Sequence, residues 1–174
     1  MKLRPFCLAI LTLFLLTGCS LFRPDDSDSR TVELPFTTIA QSDPYGVSPR
    51  LPSYLVLRQP EEWKSVVDRF PAQAIDAGSK SGLPQAGPVV AVYAGVQPSS
   101  GYSVEIKSVT RQARQVFIVV QIIPPAPDQI TEPSESLPFH IVSVATGSVD
   151  SWDGYTIQFK DEKGNLLEQV NLSK

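Results

Sequence analysis

Val89-Val90-Ala91-Val92-Tyr93-Ala94, then Gly95-Val96-Gln97-Pro98-Ser99-Ser100-Gly101, then Tyr102-Ser103-Val104-Glu105-Ile106-Lys107: this run decides the fold. Its first block is apolar at every position, as expected of a central strand covered on both faces. Its last block alternates, with Tyr102, Val104 and Ile106 on one side and polar residues on the other, as a half-buried strand does. Between them, glycine and proline mark a turn, with Gly101 expected to take a positive φ.

Working outward, residues 115–123 contain Val116-Phe117-Ile118-Val119-Val120 and predict a second central strand, stopped by Pro124-Pro125-Ala126-Pro127. Residues 128–138 read as a polar, proline-bearing loop, and residues 139–145 as a further strand. A final hairpin is expected, with Tyr155, Ile157 and Phe159 alternating before the turn at 161–165, and a returning strand over 166–172. Upstream, 31–40 and 54–58 predict strands. At Gln59-Pro60-Glu61-Glu62 the period changes. Proline in a first turn and two glutamates at the positive end of the dipole predict a helix over 59–70. Its apolar face is Trp63, Val66, Val67 and Phe70, and it is expected to lie against a sheet. The sum is an α+β fold, a mostly antiparallel β-sheet domain of about eight strands with one main α-helix.

The first eighteen residues read differently. Lys2 and Arg4 precede an apolar run from Phe6 to Leu16, about half of the ~20 residues that a spanning helix needs. Leu16-Thr17-Gly18-Cys19 then resembles a bacterial lipobox, in which small residues precede the cysteine that accepts the lipid. The expected organisation is a lipoprotein signal peptide over 1–18, a flexible tether over 19–30 and a single β-rich domain over 31–174. A plain secretory leader with a chance cysteine, or a short membrane anchor left uncleaved, is the competing reading. Cys19 is the expected lipidation site, and its acyl chains, at about 0.8 kcal/mol per buried methylene, would hold the chain in a membrane. Ser20 at the next position favours an outer membrane where the organism has one. Cys7 leaves with the leader, so no disulfide can form within the mature chain.

Cleavage would leave 13 basic against 18 acidic residues, a formal charge of −5. That balance argues against nucleic acid as a partner, since a phosphate backbone asks for a basic face. Catalysis or metal binding is also poorly provided for. His140 is the only histidine, and zinc sites draw on three or four His, Cys or carboxylate ligands. A serine triad built on His140 with Ser100 or Ser143 lacks a nucleophile-elbow context. Asp150, Asp153 and Asp161 sit in turns, where aspartate bonds its own backbone. The segment 150–154 lacks the length and terminal glutamate of a calcium loop. No catalytic residue, metal site or cofactor is expected.

The most distinctive piece remains the loop at 95–102. It reads either as a tight connection between strands or as a presented partner-binding loop formed by Pro98, Ser99, Ser100, Gly101 and Tyr102. Together with its flanking strands it resembles the PrcB C-terminal domain family, named for a lipoprotein subunit of a surface protease complex. That family's Pro-Thr-Gly-Gly-Tyr-like turn stands here as Pro98-Ser99-Ser100-Gly101-Tyr102, with Ser100 in place of a glycine. Its Pro-x-Pro-Gly element stands as Pro125-Ala126-Pro127-Asp128, again without the glycine, and its Pro-aromatic-x-Ile-Val strand as Pro138-Phe139-His140-Ile141-Val142. Phe36-Thr37-Thr38-Ile39-Ala40 and Glu61-Glu62-Trp63 resemble what precedes the domain in relatives, so the likeness runs from about residue 32 to 144.

The resemblance implies a non-catalytic accessory role, with an envelope protease or another protein as partner alongside the membrane lipid. Two alternatives stay open: a small-ligand binder using a cleft between helix and sheet near Trp63 and Tyr102, and a hydrolase using His140.

Overall fold

The computed structural model of the chain describes residues 30–42, 49–59, 62, 87–146 and 152–173. Among them are nine strands in two sheets. The five-stranded sheet has the order β1 (Val32–Glu33), β5 (Ser103–Gln112), β6 (Gln115–Ile123), β8 (Thr156–Asp161), β9 (Leu166–Asn171). The four-stranded sheet has the order β2 (Phe36–Ser42), β7 (Phe139–Val144), β4 (Val89–Tyr93), β3 (Ser53–Leu57).

The strand expected over 31–40 divides at Leu34-Pro35. Leu34 N–H still donates to the Val109 carbonyl of the five-stranded sheet at 2.8 Å. Proline has no N–H to continue that ladder, and the Pro35 carbonyl instead accepts from Ala145 N–H beside the other sheet, at 2.8 Å. The chain thus changes sheets at one residue. The pairings are antiparallel except β6 with β8, which run parallel. The expectation of a mostly antiparallel sheet holds with that one departure. It arises because the chain visits the four-stranded sheet through β7 between β6 and β8.

The sheets share a core. Val90, Val92, Val142 and Val144 of the four-stranded sheet meet Val104, Ile106, Val109, Val116, Ile118, Val120, Ile157 and Phe159 of the five-stranded one, with Trp152 fully buried among them. Tyr54 tilts against Phe159 with ring centroids 5.1 Å apart, an aromatic pair joining β3 to β8. At the end of β3, Arg58 pairs with Asp153 and donates to the Ser173 carbonyl at 3.0 Å, tying the C-terminal segment to the edge of the other sheet.

The α+β assignment with one main helix is not borne out: among the described residues only Glu62 is helical, and what is described is β-rich. The expected helical face at Trp63, Val66, Val67 and Phe70 lies outside the described residues. Only its opening is described, where the Glu62 carboxylate accepts from Arg58 N–H at 2.6 Å and Gln59 N–H at 3.3 Å.

Candidate functional site

Residues 89–146 cross twice between the sheets: β4 to β5 over 94–102, and β6 to β7 over 124–138. Both crossovers lie at the same end, because β4 ends, β5 begins, β6 ends and β7 begins there. They are joined to each other. Gln97 and Ser136 exchange backbone hydrogen bonds of 2.8 and 3.0 Å, forming an isolated bridge. Ser136 Oγ donates to the Ser99 carbonyl at 2.7 Å. Ser100 N–H donates to the Glu132 carbonyl at 3.1 Å, and Glu132 N–H donates back to Ser100 Oγ at 2.9 Å. The second loop carries its own turn, with Gln129 N–H bonded to the Ala126 carbonyl at 2.9 Å.

This geometry explains the glycine pattern. Gly101 has φ +93°, and a Cβ there would meet Thr131 Cγ2 at 2.9 Å and Pro125 Cβ at 3.1 Å. Only glycine suits both the conformation and the approach of the second loop. The neighbouring position tolerates a side chain, since the Ser100 hydroxyl pins Glu132. Asp128 is likewise free of the left-handed region, in which Ala113 is the one non-glycine residue among those described. Proline at position 127 and aspartate at 128 suit the 126–129 turn without a glycine.

The five residues singled out from the sequence therefore brace more than they present. Pro98 and Gly101 are exposed and Tyr102 is half-buried, while Ser99 and Ser100 are engaged by the second loop. The presented residues belong to 124–135, and sequence reading passed over them as a polar loop. Ile130 is 99% exposed there, and Leu51, 76% exposed, sits at the same end beside Arg50. Arg50 reaches Glu135 at 2.9 Å across the surface. Residues 93–102 and 121–139 contain no Lys or Arg, whereas Asp128, Glu132 and Glu135 are all exposed. This end is acidic, with apolar tips.

His140 occupies a different place. It is 2% exposed, on the inner face of β7 between the sheets. β1 covers the edge of β5 only as far as Val109, and beyond it side chains of the other sheet bond Val104 and Ile106. Gln41 Nε2 donates to the Val104 carbonyl at 3.0 Å, and Ile106 N–H donates to His140 Nδ1 at 2.9 Å, where β5 bulges at Lys107. The Nδ1 atom is thus an acceptor, which assigns the proton to Nε2, 2.9 Å from Thr38 Oγ1. Burial holds the imidazole below its ordinary pKa, opposed by the nearby Glu105 carboxylate. The Thr38–His140 spacing is that of a nucleophile and base, yet a general base needs a free Nε2, and here that atom carries the hydrogen. Ser143 points to the opposite face of β7, and Ser100 lies in the loop brace.

Other expected positions are dispersed. Cys19, Trp63 and Asp150 lie outside the described residues. Asp153 pairs with Arg58. Asp161 accepts from Lys163 N–H, Asn165 N–H and Asn165 Nδ2 at 2.7 to 2.9 Å, as a turn aspartate does, and these bonds lower its pKa. Burial, with the Glu168 carboxylate adding to it, raises that of Tyr54. Among the described residues, no three His, Cys, Asp or Glu side chains are grouped to hold a metal ion.

No curated protein and no solved structure matches the chain. A family model does match, over residues 89–145, and its description is PrcB C-terminal. The matched segment holds β4, β5, β6 and β7 with both crossovers, narrower than the likeness read from about residue 32. By that match, the two-crossover segment at the centre of this chain is similar to the PrcB C-terminal family.

Proposed function

We propose that the chain is a lipid-anchored, non-catalytic module of the bacterial envelope that binds a protein partner as an accessory subunit of a protease complex. The observation that carries this reading is the double crossover of the family segment. Two loops, cross-braced by six hydrogen bonds, hold an exposed acidic and apolar tip in one shape. A pre-formed loop binds without the cost of ordering it.

The strand directions add an orientation. β1 pairs with Thr110 and Arg111, beside the β5–β6 turn, so the chain enters the domain opposite the crossovers. The ten residues of β5, at about 3.4 Å each, separate the two ends by roughly 30 Å. A tether acylated at Cys19 would keep the entry end near the membrane and point the crossovers outward. Ser20 favours an outer membrane in an organism that has one. The engagement of both His140 nitrogens supports the non-catalytic reading over a hydrolase.

Metabolic labelling with a palmitate analogue tests the anchor. Wild type should incorporate label and fractionate with membranes, and Cys19→Ala should do neither. Equal labelling of the two would contradict it. Protease levels and assembly in cells lacking this chain test the accessory role. Unchanged assembly would contradict it.

A further inference from the structure

The protein-binding reading leaves the partner's chemistry open, and the crossover end narrows it. We propose that this end docks on a protein surface presenting an apolar socket ringed by lysine or arginine. Ile130 is the inserted side chain, and Asp128 and Glu132 form its acidic collar. The inference rests on the reading above.

Three observations carry it. First, Ile130 is almost wholly exposed on a segment fixed by the Ser100–Glu132 pair and the 126–129 turn. An isoleucine held rigidly in water at a loop tip gains nothing for the fold, but a rigid apolar anchor is what a partner pocket selects. Second, the charge at this end is one-sided. The two crossovers supply three exposed carboxylates and no cation, and the nearby guanidinium among the described residues, Arg50, is held by Glu135. Such a rim speeds association with a basic surface and rejects an acidic one. Third, β1, where the described chain enters the domain, pairs at the opposite end of β5.

The same charge argues against the other occupants. An anionic lipid surface or a nucleic acid would face the carboxylates directly. A second copy joined through this patch would set carboxylate against carboxylate, since a two-fold interface uses the same surface on both partners.

The test places the photo-crosslinking residue benzoylphenylalanine at position 130 of the full-length chain in intact cells. Gln169, exposed on β9, serves as control position. The expected result is one heterologous adduct from 130 and none from 169. The crosslinked partner peptide should lie beside Lys or Arg side chains. D128K/E132K, with the crosslinker kept at 130, should lower the yield at least tenfold while leaving the melting temperature unchanged. D128N/E132Q should lower it less.

An adduct of two copies of this chain would overturn the proposal, and so would a yield indifferent to both charge variants. Adducts from 169 but not 130 would overturn the site and leave the protein-binding reading standing. No adduct from either position would overturn both.

Discussion

The two sheets are buried by different rules. The five-stranded sheet has one apolar face: β5, β6 and β8 alternate, with Val104, Ile106, Val116, Ile118, Ile157 and Phe159 inward and polar residues mostly outward. The central strands of the four-stranded sheet, β4 and β7, are buried on both faces. β4 is buried at all five positions, and Ala40, Val89, Ala91, Tyr93, Phe139 and Ile141 form a second cluster on the face turned away from the core. Alternation marks a strand with one wet side, and an unbroken apolar block marks one with none in β4 but not in β6, where Phe117 and Val119 are only half-buried.

Truncating one large side chain in each cluster measures how tightly each is packed. Phe159→Ala opens the inter-sheet core and should cost about 3–5 kcal/mol of stability, measured by denaturant unfolding. Phe139→Ala, in the outer cluster and also 0% exposed, should cost a similar amount. A loss under about 1 kcal/mol would show that the outer cluster is packed more loosely than the core.

The stitch between the sheets gives the next effect. Replacing His140 by Ala orphans Ile106 N–H inside the protein and should cost about 1–3 kcal/mol before any cavity is counted. The histidine also sets a pH dependence. Its native pKa lies below the unfolded value of about 6.5, so the unfolded chain takes up the proton first as pH falls. Stability is therefore full above pH ~6.5 and declines below it until the native pKa is reached. The part of that slope due to this group should be missing from His140→Ala.

Two loop positions sharpen the contrast between braced and merely connected turns. Gly101→Ala forces a Cβ into both the left-handed region and Thr131, and should cost at least about 1–2 kcal/mol. Ala113, with φ +52° in the β5–β6 turn, is the reverse case. Ala113→Gly should relieve strain and stabilise by about 0.5–1 kcal/mol, as a small rise in melting temperature.

Much of this architecture was legible in the sequence because burial pattern and strand period go together. The blocks at 89–94 and 115–123, the alternation at 102–107 and the positive φ of Gly101 all follow from local rules. Sheet membership was not legible. Nothing in residues 31–40 except Pro35 marks a change of sheet, and the parallel β6–β8 pair depends on where β7 goes. The partners of His140 were hidden for the same reason, since Thr38 and Ile106 are brought to it only by tertiary packing. Within the candidate site, Gly101 announced a turn. Ile130 gave no signal, because a single apolar residue in a polar loop looks the same whether buried or presented.

The most direct test of the account is retention of envelope protease activity on the full-length chain. Detergent-solubilised envelopes would be passed over immobilised wild type and over Ile130→Asp, a surface change expected to leave folding intact. Wild type should retain the activity, and Ile130→Asp should retain at least tenfold less. Equal retention by the two, or none by wild type, would contradict it.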